Sequence, residues 1–193
     1  NPLHDALRAY RQFITYKLVP KTNGKTDKFP CDYRTGNVID AHDSQYWTDY
    51  NTVASLSNIG FVLTPECRIF CLDVDNCLLP DGSGWSNIAL ELHAALPGCI
   101  IEVSLSGKGW HIWGMYSEGL LSHGKRNATY GIELYTEKRF IALSNNAVSG
   151  AAMQDCTRQL NAIITKYFPL SVTPQSVEWS TVPREDWCGP ESD

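Results

Sequence analysis

Short runs of apolar residues, with polar residues at alternating positions, fill the middle of the chain and predict β-strands. Turn-forming Gly, Pro, Asn and Asp residues separate the runs. Strands are predicted at residues 58–63, 68–75, 99–104, 110–115, 131–135 and 139–143. Because only short turns join them, the third and fourth strands should form one hairpin, and the fifth and sixth another.

Apolar positions recur with helical spacing in four other segments, which are predicted to be helices. They lie at residues 3–16, 44–56, 85–96 and 151–168. The polar segment between the first two is predicted to be a loop region with one short strand. Because helices and strands are interspersed and two strand pairs have short turns, we predict an α+β fold with a largely antiparallel or mixed sheet.

The composition is that of an ordinary globular domain, with 193 residues, of which 43% are hydrophobic and 19% charged. No apolar run approaches the roughly 18–20 residues that span a bilayer, so no membrane segment is predicted. Residues 1–170 are predicted to form one domain. The polar, acidic and proline-containing segment 171–193 is predicted to be a linker toward a further C-terminal region.

Charge is unevenly distributed along the chain. The net charge of −5 argues, by itself, against a nucleic-acid-binding protein. However, seven basic residues against two acids lie between Arg8 and Arg34, whereas five acids and one base lie between Ser171 and Asp193. A basic N-terminal region of this kind can still present a local positive groove.

The seven cysteines include no CxxC pair, and several lie in apolar strands. A thiol in such a place packs as a small hydrophobic group, so reduced core cysteines are predicted. A structural zinc site built from Cys67, Cys71 and Cys77 is the less favoured alternative, because the usual paired spacing is missing.

Ionisable residues interrupt three of the predicted strands at positions that alternate with apolar residues. Asp73 and Asp75 lie two apart in one strand, so their side chains should project from the same face. His111 and Glu133 occupy similar positions in two other strands. If these strands pair in one sheet, the four side chains share a face, and the three carboxylates suit hard cations such as Mg²⁺ or Mn²⁺. The alternative to a metal site is a strand end whose carboxylates are simply hydrated by solvent.

The turn between the strands of the first hairpin has the sequence Ser-Gly-Lys-Gly at residues 106–109. The Ser106 hydroxyl, the Lys108 ammonium and flexible backbone N–H groups could together cradle phosphate oxygens. The turn is not a Walker loop, and a glycine-rich hairpin is more often only a turn. Arg139, at the start of a later strand, could add a guanidinium group for phosphate, or could simply form a surface ion pair.

The order of these motifs resembles that of archaeo-eukaryotic-type primases, and most of all the primase-polymerase domains of phages and plasmids. Those domains carry an hDhD strand, an SxGxxH-like hairpin and an acidic residue in an apolar strand, in that order. This chain has Leu-Asp-Val-Asp at 72–75, Ser-Gly-Lys-Gly-Trp-His at 106–111 and Ile-Glu-Leu-Tyr at 132–135. The resemblance covers roughly residues 8–168.

The resemblance implies a role for each motif residue. Two divalent ions, Mg²⁺ or Mn²⁺, would be bound by Asp73, Asp75 and Glu133, and no zinc is expected. The triphosphate of an incoming nucleotide would be held by Ser106, Lys108, His111 and Arg139, with Lys28 of a Lys-Phe-Pro segment as a further match. The implied fold is an N-terminal α/β unit packed on an RRM-like unit with a mixed or antiparallel sheet.

The implied activity is that of a DNA-dependent primase-polymerase, which adds nucleotides to a primer or starts a chain on single-stranded template by two-metal phosphoryl transfer. The implied partners are single-stranded DNA template and primer, nucleoside triphosphates, and a helicase-like domain C-terminal to this chain. The implied location is the cytoplasm of a phage-infected or plasmid-bearing host cell.

Two alternatives remain open. The Asp-Val-Asp segment also resembles the DxDxT motif of haloacid-dehalogenase-type phosphohydrolases, in which Asp73 would be the nucleophile. In this chain Cys77 replaces the threonine, and the hairpin that carries His111 would have no role. The other alternative is a non-catalytic replication-initiator module, against which the intact set of three carboxylates argues.

Overall fold

The computed structural model of the protein describes residues 1–150 and 153–170. These residues contain four α-helices and ten β-strands. The helices are α1 Pro2–Leu7, α2 Tyr50–Val53, α3 Asn87–Ala95 and α4 Thr157–Tyr167, with 3₁₀ turns at Ser44–Tyr46 and Pro65–Cys67. The strands are β1 Phe13–Pro20, β2 Thr26–Cys31, β3 Ile59–Leu63, β4 Ile69–Val74, β5 Ile100–Val103, β6 Trp110–Met115, β7 Arg126–Asn127, β8 Ile132–Tyr135, β9 Arg139–Ala142 and β10 Ala147–Ser149.

The strands form two sheets, and within the described residues every strand pair is antiparallel. A four-stranded sheet has the order β2-β1-β3-β9, and a six-stranded sheet has the order β10-β5-β6-β4-β8-β7. The predicted α+β class is therefore confirmed. Of the two sheet types that the sequence left open, the protein has the antiparallel one.

The six-stranded sheet is the middle layer of three. On one face of β4, Phe70 and Leu72 pack in a hydrophobic cluster with residues of α3 and α4. On the other face, Ile69 and Cys71 pack in a second cluster with residues of α1 and the four-stranded sheet. Because strand side chains alternate, Asp73 also projects from the face that is turned toward the four-stranded sheet.

Several predicted elements are confirmed. The β5–β6 hairpin forms as expected, with Val103 opposite Trp110 next to its turn. Helix α3 lies within the segment predicted to be helical at 85–96. Helix α4 begins at Thr157 and buries the core face that its helical spacing indicates. The predicted start of that helix, residues 151–152, lies outside the described residues.

The second predicted hairpin is wrong. β8 pairs with β4 and β7 in the six-stranded sheet, whereas β9 pairs with β3 in the four-stranded sheet. Between them, Lys138 has a left-handed φ of 49°, and Arg139 then begins a strand opposite Leu63. The short turn therefore carries the chain from one sheet to the other, because β3 offers an edge against which Ile141 can be buried.

The two N-terminal helices are shorter than predicted. α1 ends at Leu7, and the chain from Phe13 onward is strand β1, because pairing with β3 buries Phe13 and Ile14. The helix predicted at 44–56 is divided in two. Asp43 and Asp49 each accept a hydrogen bond from a backbone N–H and cap a separate short turn.

Six cysteines lie among the described residues, and all are buried free thiols, as their apolar surroundings predicted. The Sγ atoms of Cys99 and Cys156 are 3.2 Å apart. Cys188 and the linker predicted at 171–193 lie outside the described residues. In the described part of the chain, no helix has the length and apolar character needed to cross a bilayer.

Candidate functional site

Three of the predicted site residues lie side by side at the centre of the six-stranded sheet. Asp73 of β4 is directly opposite His111 of β6 on one side and Glu133 of β8 on the other. Directly opposite residues place their side chains on the same face of a sheet. The prediction that these three residues share a face is therefore confirmed.

Asp75 lies one residue beyond the end of β4. Its backbone N–H donates a hydrogen bond to the Gly131 carbonyl at 2.9 Å, so the pairing with the chain before β8 continues to this point. Asn76 then turns the chain with a left-handed φ of 47°. The predicted strand therefore ends at Val74. Asp75 is an exposed residue just beyond the row formed by Asp73, His111 and Glu133.

A cavity of about 360 Å³ lies between the two sheets and is called the cleft below. Asp73 and His111 line it from the six-stranded sheet, and Lys28 of β2 and Arg139 of β9 line it from the four-stranded sheet. Four residues that the sequence resemblance selected from distant parts of the chain thus border one cavity. It has the Asp73 carboxylate on one side and two cations on the other, where Asp27 of β2 also lines it and is paired with Lys21.

His111 is held by a buried carboxylate. Glu102 of β5 is fully buried and lies opposite His111, whose Nδ1 is 2.9 Å from Glu102 Oε2. The other carboxylate oxygen of Glu102 accepts a hydrogen bond from the Ser144 backbone N–H. His111 Nε2 lies 3.9 Å from Asp73 Oδ1, so the imidazole stands between two acids.

This environment favours the protonated form of His111. Burial lowers the pKa of His111, but the hydrogen bond to Glu102 and the charges of Asp73 and Glu102 together outweigh it, so the pKa is raised above its usual value. With Nδ1 donating to Glu102, a protonated Nε2 is available as a donor beside Asp73, at the wall of the cleft.

The negative charge of Asp73 is only partly compensated by the groups around it. Its side chain is only 18% exposed, and burial is the main cause of its raised pKa. His111 and Lys28 lower the pKa, while the charges of Asp75 and Glu133 raise it. A further cation in the cleft would offset both the lost hydration and the repulsion between carboxylates.

Glu133 is bound by two neighbours in the described conformation. Arg126 Nε lies 3.3 Å from Glu133 Oε1, and the Tyr135 hydroxyl donates a hydrogen bond to Glu133 Oε2. The guanidinium carbon of Arg139 stands 4.6 Å from the centre of the Tyr135 ring. Tyr135 thus links a carboxylate of the six-stranded sheet to a cation of the four-stranded sheet.

The Ser-Gly-Lys-Gly turn lies outside the residues that line the cleft. The Ser106 hydroxyl accepts a hydrogen bond from the Lys108 N–H at 3.2 Å and so stabilises the turn itself. Gly109 packs closely on the end of β4, since a Cβ there would lie 2.9 Å from the Val74 carbonyl oxygen. Lys108 borders a separate cavity with Asn76. The turn is therefore beside the end of β4, and Ser106 and Lys108 are not brought together with Arg139.

The acidic residues match a hard divalent cation in their chemistry. Carboxylates are the ligands that Mg²⁺ and Mn²⁺ prefer, and Asp73 and Glu133 are adjacent on one face. Within residues 1–150 and 153–170, no group of three or more His, Cys, Asp or Glu side chains is arranged to hold a metal ion. In the described conformation Glu133 is engaged by Arg126 and Tyr135. The two-ion site stays a prediction.

Reasoning from the sequence missed two residues of this site. Glu102 stands between Ile101 and Val103, in the same alternation with apolar residues that drew attention to Asp73. That alternation could have identified Glu102 as a candidate site residue. The hydrogen bond from Tyr135 to Glu133 has no signal in the sequence.

Comparison with known proteins gives no family for this chain. No protein-family model matches it, and no curated protein matches it either. The functional interpretation therefore depends on the motif resemblance and on the geometry of the cleft.

Proposed function

We propose that this chain is the catalytic domain of a primase-polymerase of the archaeo-eukaryotic type, which adds nucleotides to a primer or starts a new chain on single-stranded DNA. The main support is the row of Asp73, His111 and Glu133, of which Asp73 and His111 face Lys28 and Arg139 across the cleft. An acidic row next to two cations of the same cleft suits a nucleoside triphosphate that binds together with a divalent cation.

In this proposal the cations of the cleft bind the triphosphate. Arg139 lies over the Tyr135 ring, which limits the orientations of a guanidinium group that can bind two phosphate oxygens at once. Lys28 is an exposed and flexible point charge, and His111 presents Nε2 from a buried position. Negative charge on the phosphoryl oxygens would thus meet donors that are already in place during transfer.

The acidic side of the cleft would hold Mg²⁺ or Mn²⁺ through Asp73, Asp75 and Glu133. Two bound ions would supply activation of a primer 3′-hydroxyl and neutralisation of charge on the departing pyrophosphate. The chain itself contributes a desolvated carboxylate at Asp73, which favours a cation. Arg126 would release Glu133 when the carboxylate turns to a metal ion.

The proposed fold is the archaeo-eukaryotic primase fold, with an N-terminal α/β unit and an RRM-like unit. In support, the six-stranded antiparallel sheet has α3 and α4 on one face and the proposed site on the other. The assignment of Ser106 and Lys108 to the triphosphate rests on the motif resemblance alone, because the structure places both residues outside the cleft. The proposed partners are single-stranded template, primer, nucleoside triphosphates and a C-terminal helicase-like domain.

No observation favours either alternative function over this one. A phosphohydrolase that uses Asp73 as its nucleophile gives no role to the buried pair of Glu102 and His111. A non-catalytic initiator module gives no reason for Asp73 to remain a carboxylate, since its burial is costly.

Replacing Arg139 by glutamine is expected to weaken nucleoside triphosphate binding by about tenfold or more, because a charge-assisted hydrogen bond contributes about 1.5–3 kcal/mol. Calorimetric titration with triphosphate and Mn²⁺ measures the effect. Arg158→Gln is the matched control, because Arg158 is exposed on α4, on the opposite side of the six-stranded sheet. Equal affinity of Arg139→Gln and wild type would remove Arg139 from the site. Absence of binding by the wild type would contradict the proposed function.

A further inference from the structure

The β1–β2 hairpin extends beyond the sheet to which it belongs. Only residues 13–15 of β1 pair with β3, whereas β1 pairs with β2 from Thr15 to Pro20. Tyr16 still donates a backbone hydrogen bond to Asn58. Past that point, in the part of the chain that the structure describes, the backbone–backbone hydrogen bonds of residues 17–29 join these residues only to one another. This two-stranded projection is called the arm.

The arm is the basic part of an acidic protein. It carries four lysines and one aspartate, for a net charge of +3, whereas the whole chain has a net charge of −5. Lys21 forms an ion pair with Asp27 at 2.8 Å. Among the described residues, the other three lysines, Lys17, Lys25 and Lys28, form no ion pair and are exposed. A local concentration of positive charge of this kind attracts a polyanion.

Large apolar side chains are exposed on the same arm. Leu18 is 47% exposed, Val19 37% and Phe29 39%. Phe29 is directly opposite Lys17, so the aromatic ring and the ammonium group lie on one face of the arm. An aromatic ring beside a cation suits single-stranded nucleic acid, because the ring can stack on a base while the cation meets the phosphate.

The arm also forms part of the cleft. Lys28 lines the cleft together with Thr26 and Asp27 of the same strand. By the alternation along β2, its side chain projects from the face opposite to Phe29. A nucleic-acid strand bound on the face of the arm that carries Lys17 and Phe29 would therefore lie next to the site that contains Asp73 and His111.

We propose that the arm binds single-stranded nucleic acid, with Lys17 and Lys25 on the sugar-phosphate backbone and Phe29 stacked on a base. The assignment of that strand as template rests on the proposed function. The binding itself requires no catalysis and can be measured without nucleotide.

Fluorescence anisotropy with a labelled oligothymidylate, over a range of salt concentrations, tests the proposal in the full chain. In Lys17→Gln/Lys25→Gln, the slope of log affinity against log salt should become shallower by about 1.4, because each phosphate contact on a single strand contributes about 0.7. Phe29→Leu should weaken binding by about fivefold or more with an unchanged slope, and Phe29→Trp should restore it, because stacking requires an aromatic ring.

Lys125→Gln is the matched control, because Lys125 is exposed next to β7 at the far edge of the other sheet. It should bind as the wild type does. Wild-type affinity and slope in the double lysine variant, or no oligonucleotide binding by the wild type, would overturn the proposal. So would equal competition by polyglutamate with no effect of Phe29→Leu, which would indicate a merely charged surface.

The arm proposal and the proposed function can fail independently of each other. If the arm variants lose oligonucleotide affinity but the wild type never incorporates nucleotides, the arm proposal holds and the primase-polymerase proposal fails. If the wild type incorporates nucleotides and the arm variants bind DNA normally, the reverse is true.

Discussion

Replacing Asp73 by asparagine is expected to reduce nucleotide incorporation at least about 100-fold and, at neutral pH, to raise the Tm of the nucleotide-free protein. The loss of activity follows from removal of a proposed metal ligand. The gain in stability follows from the raised pKa of Asp73, which shows that the ionised carboxylate is less favourable in the folded protein than in the unfolded chain.

The sign of the pH dependence follows from that shift. Below the ordinary aspartate pKa of about 3.9 the carboxyl group is protonated in both states, so it imposes no cost. As the pH rises through the raised pKa, the folded protein loses stability relative to Asp73→Asn. The Tm difference, measured by calorimetry, should therefore be larger at neutral pH than in acid.

Glu118→Gln is the control for Asp73→Asn, because the Glu118 side chain is 90% exposed. It should change neither activity nor Tm appreciably. Full activity of Asp73→Asn would contradict the metal-ligand role. A lower Tm at neutral pH would contradict the electrostatic account of the cleft.

Replacing Glu102 by glutamine is expected to lower the free energy of unfolding by about 1–3 kcal/mol. Glu102 is fully buried and accepts hydrogen bonds from two donors, His111 Nδ1–H and the Ser144 N–H. Glutamine can keep the bond from the Ser144 N–H only by presenting its NH2 group to His111 Nδ1, so the charge-assisted bond to a protonated imidazole is lost. Urea unfolding measures the loss.

The effect of Glu102→Gln should depend on pH in a defined direction. The pKa of His111 is raised in the folded protein, so the protonated imidazole stabilises the fold below its ordinary pKa. This stabilisation disappears as the pH rises through the raised pKa. The difference between wild type and variant should therefore be larger near pH 6 than near pH 9.

Glu91→Gln provides the comparison at the surface. Glu91 pairs with Lys166 at 2.6 Å, but both side chains are at least half exposed, so the loss should stay below about 1 kcal/mol. A loss in Glu102→Gln no larger than this, or one that does not change with pH, would contradict the role of Glu102 in holding His111.

The centre of the site could be predicted from the sequence because the signal is local. In residues 72–75, acidic residues alternate with apolar ones, and the hairpin turn before His111 is short. Strand periodicity therefore gave the right face for Asp73, His111 and Glu133, and the β5–β6 hairpin formed where the turn indicated.

Sheet membership could not be predicted in the same way. The turn before Arg139 looks like a hairpin turn, but β8 and β9 belong to different sheets. Which edge a strand joins depends on partners that are distant in sequence, here β3 for Arg139 and β4 for Glu133. The predicted hairpin would have put Arg139 opposite Tyr135 in one sheet, whereas the observed topology puts Arg139 opposite Leu63 in the other sheet.

The N-terminal region shows the same limit. Helical spacing at residues 3–16 was correct only as far as Leu7, because pairing with β2 and β3 makes a strand of the segment from Phe13 onward. That pairing also brings Lys28 to the cleft. The match of Lys28 to the family motif came from the resemblance, and its placement required the three-dimensional structure.

Primer extension on single-stranded DNA, with Mg²⁺ or Mn²⁺ and all nucleoside triphosphates, tests the central claim most directly. The account predicts that wild type and Glu118→Gln extend the primer according to the template and that Asp73→Asn does not. Release of inorganic phosphate by the wild type without extension would contradict it in favour of a phosphohydrolase. DNA binding with no reaction under any of these conditions would contradict it in favour of a non-catalytic module.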